Sequence, residues 1–205
     1  MMANHPPSGT VVLFGGLQDN PGRFVSDTWT LEVPVRLLSV VSRKVHGSAG
    51  VFDIDLPVVG PHGIECRSGG ASGDYTIVFT FSNPVASCGS AGAGSVTSGP
   101  NSNQCTVSLT GVANAQYITV TLNGVVDSAT GNVSNNFSGT MGVLLGDTSG
   151  DGVVNSADIT QTRRQSGNVP HDDPNANFRE DVTADGTINS ADITQVRRES
   201  GNALP

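Results

Sequence analysis

The strongest constraint on the fold is a repeat in the last third of the chain. Residues 147–168 and 181–202 are near-copies, and their first residues, Asp147 and Asp181, stand 34 positions apart (181 − 147). Each copy of such a repeat forms one supersecondary unit, and a pair of copies usually buries a shared face. Counted from its first residue, each copy has Asp at positions 1, 5 and 12, a hydroxyl residue at 3, Gly at 6 and Asn at 9.

This spacing is typical of a calcium-binding loop. Calcium takes six to eight hard oxygen ligands, and a 12-residue loop supplies them from alternating positions. Gly152 and Gly186 stand where the loop must turn sharply at a positive φ. At position 8, Val154 and Ile188 are predicted to pair with each other as a short β-bridge. We predict two Ca²⁺ ions. The predicted ligands, with Val153 and Thr187 acting through their carbonyl oxygens, are Asp147, Ser149, Asp151, Val153, Asn155, Asp158, Asp181, Thr183, Asp185, Thr187, Asn189 and Asp192.

One helix is predicted after each loop, over about residues 156–166 and 190–200. Asn155 and Asn189 are suited to cap these helices at their first turn. A Gly-Asn pair closes each of them, since Gly readily takes the conformation that ends a helix. No helix is predicted before either loop, whereas an ordinary EF-hand has a helix on both sides.

A calcium loop with only its exiting helix, present twice, resembles the type I dockerin. The resemblance covers residues 147–202 and implies calcium-dependent docking to a cohesin-like module, an extracellular or cell-surface location and a link to polysaccharide degradation. Dockerins carry their contacts at loop positions 10, 11, 17 and 18. Here these positions are Ser156, Ala157, Arg163, Arg164, Ser190, Ala191, Arg197 and Arg198. The arginine pairs suit carboxylates on a partner, although a solvated helix face is the open alternative.

The repeats depart from the dockerin pattern at position 3. Ser149 and Thr183 stand where the family usually has Asn or Asp, and a neutral hydroxyl is a weaker calcium donor. We therefore predict a reduced affinity, most of all in the second loop. Each helix also has few apolar residues, so residues 147–202 are predicted to fold only with bound metal.

The middle of the chain, residues 43–145, is predicted to be a β-sandwich. Short strand candidates alternate with Gly, Asn, Pro and Ser clusters, and apolar residues alternate within 75–81 and 118–122. The Phe79–Pro84 phrase and the closing Asp127-x-x-Thr-Gly-Asn resemble bacterial immunoglobulin-like domains. The predicted fold class is mainly β, an immunoglobulin-like sandwich followed by a small α calcium-binding domain at residues 146–205.

The first 42 residues form a third predicted segment. An apolar run ending in Gly15-Gly16, a polar loop and a strand carrying Trp29 resemble half a blade of a Kelch-type propeller, in which Trp29 would pack between blades. A propeller needs at least four blades, and this pattern occurs once. A plain β-hairpin is the alternative, and residues 34–42 are predicted to be a strand or a linker.

Candidate catalytic groups are few. Asp53 and Asp55 lie on one face of a predicted strand, and paired carboxylates can carry out acid–base chemistry, but a solvated outer face is the interpretation we favour. His46 and His62 have no metal-ligand spacing and are predicted to be surface residues. No catalytic residue is therefore predicted, and the chain is not expected to be an enzyme.

Composition excludes other classes of function. The net charge is −8, and ten of the 18 acidic residues lie at or after Asp147; nucleic-acid binding needs basic patches. No apolar run approaches the ~18 residues that span a membrane, and no export signal is visible at the start. Of the three cysteines, Cys88 and Cys105 flank a Gly/Ser-rich loop and are able to pair, which would leave Cys66 free.

Three functions are compatible with these patterns. The first is a non-catalytic docking or adhesion protein with dockerin repeats on an immunoglobulin-like spacer. The second is the C-terminal part of a larger secreted propeller enzyme. The third is a calcium module that only stabilises its neighbouring domain.

Overall fold

A computed structural model describes residues 34–173 and 175–205 in full, and only the backbone of three earlier strands. These are β1 (Met2–Asn4), β2 (Thr10–Asp19) and β3 (Arg23–Glu32), which form an antiparallel sheet in the order β1-β2-β3. The Kelch-like segment is therefore a β-hairpin in its backbone. The predicted packing of Trp29 lies outside the described residues.

The residues that follow form a mainly β structure, as predicted. Its strands are β4 (Leu37–His46), β5 (Gly50–Asp55), β6 (Gly63–Glu65), β7 (Tyr75–Phe81), β8 (Val85–Ser87), β9 (Ser90–Ala91), β10 (Ser95–Ser98), β11 (Gln104–Leu109), β12 (Gln116–Asn123), β13 (Val125–Asp127), β14 (Val133–Ser134) and β15 (Phe137–Val143). They form sheets of order β10-β11-β7-β4-β5, β6-β15-β12-β9 and β14-β13-β8. β4 crosses the predicted boundary between residues 42 and 43, because it pairs with both β5 and β7.

The first two of these sheets enclose one hydrophobic core. Tyr75, Ile77, Phe79 and Phe81 on β7 are buried, as their alternation predicts. Val40 and Val107, on the neighbouring strands β4 and β11, belong to the same core, and Leu122 and Met141 on β12 and β15 meet them from the facing sheet. Alternation therefore identifies the buried face here, since successive side chains of a strand point to opposite sides of the sheet.

Cys88 and Cys105 form a disulfide, so the pairing that the sequence left open is present. Cys66 is free and buried, and burial raises the pKa of its thiol to about 12. The reactive thiolate form of Cys66 is therefore suppressed, which protects the disulfide from exchange within the chain.

Removal of this disulfide is expected to destabilise the sandwich. The two cysteines are 17 residues apart, and a loop of roughly 15 residues corresponds to about 3 kcal/mol of chain entropy in the unfolded state. The double variant Cys88→Ala/Cys105→Ala should therefore have a free energy of unfolding lower by about 3 kcal/mol, measured by urea denaturation. Reduced wild-type protein is the matched control. An unchanged unfolding midpoint in both samples would contradict the prediction.

Two helices follow the sandwich, α1 (Ser156–Gln165) and α2 (Ser190–Glu199). Each begins in a capping box. The side chains of Asn155 and Asn189 accept backbone N–H bonds from the first turn, and the carboxylate of the third helical residue accepts the backbone N–H of the cap. The two helices pack against each other. Local sequence therefore determines where both helices begin, as predicted.

The predicted bridge between Val154 and Ile188 is wrong. The N–H and C=O of Val154 instead bond to Asn202 and Gly201, and those of Ile188 bond to Asn168 and Gly167. Each loop thus pairs with the chain that follows the other repeat's helix. The closing Gly-Asn pair of each repeat bonds to position 8 of the other repeat, so the two repeats interlock. The residue at position 8 does not by itself indicate which partner it bonds to.

A second hydrophobic cluster lies between the sandwich and the repeats. Ile64 and Leu144 come from the sandwich side, and Val154, Val182 and Val196 come from the repeats. The stacked rings of Phe52 and Phe178, with centroids 5.4 Å apart, extend this contact. The repeats are therefore packed on the sandwich, and neither repeat encloses an apolar core of its own.

Candidate calcium loops

The carboxylate at position 1 of each loop accepts backbone N–H bonds from the residues that follow it. Asp147 is fully buried, and its Oδ1 accepts N–H bonds from Gly150 (2.8 Å) and Asp151 (3.2 Å), while its Oδ2 accepts one from Gly152 (2.9 Å). Asp181 is also fully buried and accepts the corresponding bonds from Asp185 and Gly186. The two loops therefore share the bonds from positions 5 and 6 to the carboxylate at position 1.

The carboxylate at position 12 closes each loop. Asp158 and Asp192 are fully buried. Asp158 accepts N–H bonds from Ser149 at 2.9 Å and from Asn155 at 2.8 Å. Asp192 makes the matching contacts with Thr183, at 3.0 Å, and Asn189. One side chain thus fastens the start of the loop to the start of the helix.

The hydroxyl at position 3 lies among these carboxylates. Thr183 Oγ1 donates to Asp192 Oδ1 at 2.9 Å and stands 3.5 Å from Asp181 Oδ1. Ser149 Oγ donates to Asp147 Oδ1 at 3.1 Å. Oxygens from positions 1, 3 and 12 therefore meet in the second loop, and oxygens from positions 1 and 3 meet in the first.

The side chains predicted as ligands at positions 5 and 9 lie outside these groups of converging oxygens. Asp151 and Asp185, at position 5, are exposed and accept the N–H of residues 153 and 187, both at 2.9 Å. Asn155 and Asn189, at position 9, use their side-chain oxygens as helix caps. Within residues 34–173 and 175–205, no three His, Cys, Asp or Glu side chains form a group able to hold a metal ion. The twelve-ligand set therefore stays a prediction.

The charge of the loops nevertheless fits a bound cation. No ion pair with a cationic side chain is present on Asp147, Asp158 or Asp192 in the described part of the chain, although all three are fully buried. Burial raises the pKa of Asp192, and hydrogen bonds from Thr183 and Asn189 counteract this only in part. A buried carboxylate is costly unless it is paired or coordinates a metal. The donors are hard oxygens, as calcium prefers.

Arg179 fixes the first loop to the sandwich through backbone carbonyl groups. Its guanidinium donates to the C=O of Thr148 (2.8 Å), Asp147 (2.9 Å) and Ile64 (3.1 Å). Arg179 lies in the connection before the second loop, so it holds one loop while leading into the other. The sequence did not identify it, because its acceptors are backbone groups with no sequence signature.

His46 is the clearest error of the sequence-based predictions. It was expected at the surface but is fully buried, and its Nδ1 lies 2.8 Å from Asp181 Oδ2. The two residues are 135 positions apart, so no residue spacing in the sequence indicates this contact. His62 is exposed, as predicted, with its ring against Tyr117.

The eight predicted partner contacts, called the docking face below, are all exposed: Ser156, Ala157, Arg163, Arg164, Ser190, Ala191, Arg197 and Arg198. None of the four guanidinium groups forms a salt bridge or hydrogen bond within the described chain. The face is therefore free, with two arginine pairs in equivalent places.

Two interlocked loop–helix units, with the residue spacing of calcium loops and buried acidic side chains, form a duplicated domain. Residues 145–199 match the family described as Dockerin type I domain. Searches of curated proteins and of solved structures found no match. The dockerin resemblance is thus confirmed for this segment, whereas the immunoglobulin-like and Kelch-like resemblances stay predictions. None of the helices in the described residues is long and apolar enough to span a membrane.

Proposed function

We propose that the chain is a non-catalytic extracellular or cell-surface protein that docks to a cohesin-like module through its calcium-loaded C-terminal repeats. The sandwich, immunoglobulin-like by resemblance, would carry the docking domain. The observation that supports this best is the pair of buried acidic loops within the dockerin match. By family resemblance, the partner would belong to a system that degrades polysaccharide.

The calcium ions would be held by oxygens of the two loops and would neutralise their buried carboxylates. The buried charged ligands would be Asp147 and Asp158 in the first loop and Asp181 and Asp192 in the second, with the exposed Asp151 and Asp185 as the charged ligands at position 5. When bound, each ion supplies the positive charge that the described side chains do not place on Asp147, Asp158 and Asp192. The chain's own amides hold these carboxylates in position.

A non-catalytic role agrees with the state of the paired carboxylates on β5. Asp53 accepts two bonds from the guanidinium of Arg43, at 2.8 and 2.6 Å, and Asp55 is exposed. Both carboxylates are therefore placed as on a solvated outer face, with Asp53 held by the Arg43 guanidinium.

The docking face is tested by reversing its charge. Arg163→Glu/Arg164→Glu combined with Arg197→Glu/Arg198→Glu should weaken calcium-dependent binding to a panel of purified cohesin domains at least about tenfold, the equivalent of 1.4 kcal/mol. The reason is that fork-shaped guanidinium groups pair with carboxylates on the partner. Biolayer interferometry in calcium and in EDTA measures the effect.

Arg36→Glu is the matched control, since Arg36 is exposed on the sandwich far along the chain from both helices. This change should leave binding unaltered. Equal loss of binding in both variants, or no loss in the fourfold variant, would contradict docking through the arginine face.

The second candidate function is a calcium module that only stabilises the sandwich. The shared apolar cluster and the Phe52–Phe178 stack favour it, because they bury side chains of the sandwich and of the repeats against each other. It differs from docking in one result: calcium would raise the stability of the sandwich, while no cohesin domain in the panel would bind.

A further inference from the structure

A chain of buried polar side chains runs from inside the sandwich to the second calcium loop. Glu65 accepts two bonds from the Arg67 guanidinium, at 2.8 and 2.7 Å. Arg67 Nη1 lies 3.1 Å from His46 Nε2, and His46 Nδ1 lies 2.8 Å from Asp181 Oδ2. All four side chains are fully buried.

The donors and acceptors in this chain can be assigned from chemistry. An arginine only donates hydrogen bonds, so His46 Nε2 must accept from Arg67. The hydrogen of the imidazole then lies on Nδ1, which donates to Asp181. Arg67 therefore selects the tautomer of His46 that the calcium loop needs.

His46 shares Oδ2 of Asp181 with one loop amide and leaves Oδ1 to the other donors of the loop. Asp181 Oδ2 accepts from His46 and from the N–H of Gly186, at 2.9 Å. Asp181 Oδ1 accepts from the N–H of Asp185 and from the hydroxyl of Thr183. The oxygen that converges with the other predicted ligands is thus Oδ1, and its direction is set by the two bonds to Oδ2.

The first loop has no such partner. Every hydrogen bond to the Asp147 carboxylate in the described structure comes from its own loop, residues 149–152. The two carboxylates at position 1 therefore differ in that only Asp181 accepts a hydrogen bond from the sandwich, through the His46 imidazole. The first loop is a control within the same molecule.

The backbone also ties the sandwich to the second loop. The turn after β4 places Gly47, at φ +46°, so close to the loop that an added Cβ would lie 2.1 Å from the Asp185 carbonyl oxygen. A Cβ on Gly186 would lie 2.8 Å from the His46 carbonyl oxygen. Only glycine permits this approach, which brings the imidazole within reach of Asp181.

We propose that His46 is a positioning residue for the second calcium site, so that the sandwich completes this site and not the first. The inference rests on the proposed calcium binding and deepens it. Partners that orient a metal ligand from outside typically change metal affinity by 10- to 100-fold when removed. Calcium binding at the second loop is thereby coupled to the contact between the sandwich and the repeats.

The test uses the full chain and two nearly isosteric substitutions. His46→Gln places an amide near the former Nε2, where it still accepts from Arg67 but no longer reaches Asp181. His46→Asn places an amide nitrogen near the former Nδ1 and keeps the bond to Asp181. Calcium titration followed by NMR of the Gly152 and Gly186 amides reports the two loops separately.

His46→Gln should weaken calcium binding at Gly186 at least about tenfold and leave the titration at Gly152 unchanged. His46→Asn should stay within about threefold of wild type at both glycines, well below the tenfold threshold. An unchanged midpoint at Gly186 in His46→Gln would overturn the inference. Equal weakening in both variants, or at both loops, would also overturn it, since that result would mark a purely structural role.

Failure of the proposed function gives a different result. A wild-type chain that shows no calcium-dependent shift at either glycine would overturn calcium binding itself, and the role of His46 with it. Wild-type binding at both loops, with His46→Gln indistinguishable from it, would overturn only the role of His46. In these titrations, Asp181→Asn removes a charged ligand of the second loop only, so the signals that it changes identify the second calcium site.

Discussion

Chelation of calcium by EDTA is expected to unfold α1 and α2 and to leave the sandwich folded. Without a cation, the buried carboxylates of Asp147, Asp158 and Asp192 have no positive partner among the described side chains. A buried charge that loses its partner costs on the order of 3–5 kcal/mol. The shared cluster of five buried apolar residues is too small to offset three such charges.

Circular dichroism and NMR measure this effect together. The helical signal of α1 and α2, ten residues each, should disappear with EDTA and return when calcium is added in excess. Amide signals of the core strands β7 and β12 should persist, because their core is separate from the cluster under the repeats. Magnesium is the matched control, since it demands a more rigid octahedral site and should not restore the helices.

A helical signal that survives saturating EDTA would contradict metal-dependent folding. Packing on the sandwich would then be enough to hold the repeats, through contacts such as Arg179 to the carbonyl groups of the first loop. Asp158→Asn with Asp192→Asn separates the two explanations. Removal of these charges should lessen the effect of EDTA on helix content if the buried carboxylates without a positive partner are its cause.

The predictions that succeeded rest on local rules. Three features can be read within one repeat: the capping residues Asn155 and Asn189, the positive φ of Gly152 and Gly186, and the lack of an entering helix among the described residues before each loop. Such features depend on neighbours fewer than five positions away. The alternating core of β7 is local in the same sense, since a strand's period determines which side chains share a face.

The features that were missed all involve contacts over long sequence distances. His46 contacts Asp181 across 135 positions, and Arg179 contacts Ile64 across 115. Val154 and Ile188 each bond to the closing Gly-Asn pair of the other repeat, which is also a contact over a long sequence distance. Two copies of one pattern can pair in more than one way, and the sequence does not distinguish them. A sequence repeat identifies two units but does not show how they interlock, or what they pack upon.

Glu65→Gln is expected to give the largest loss of stability of any single substitution considered for this chain. It would leave Arg67 charged and fully buried, with neither of its two bonds to a carboxylate. Removal of one member of a buried ion pair costs about 3–5 kcal/mol. Urea denaturation at neutral pH, followed by circular dichroism, measures the change in the free energy of unfolding.

The pH dependence of stability gives a second signature. Burial alone raises the pKa of Glu65, but the charge and hydrogen bonds of Arg67, with a bond from Ser42, lower it to about 2 from the ordinary 4.5. A carboxyl whose pKa is depressed by folding stabilises the protein above its unfolded pKa. This stability is then lost as pH falls from 4.5 towards about 2. Glu65→Gln should lack this component of the acid-induced loss of stability.

Asp53→Asn is the matched control, because it removes the carboxylate of an ion pair that is partly exposed. The Arg43 and Asp53 side chains are 28% and 33% exposed, so water can solvate the arginine left behind, and the loss should stay below about 1 kcal/mol. A similar loss in Glu65→Gln would mean that Arg67 finds enough compensation in the carbonyl groups of Ser42 and Phe52. The buried pair would then orient His46 without stabilising the sandwich.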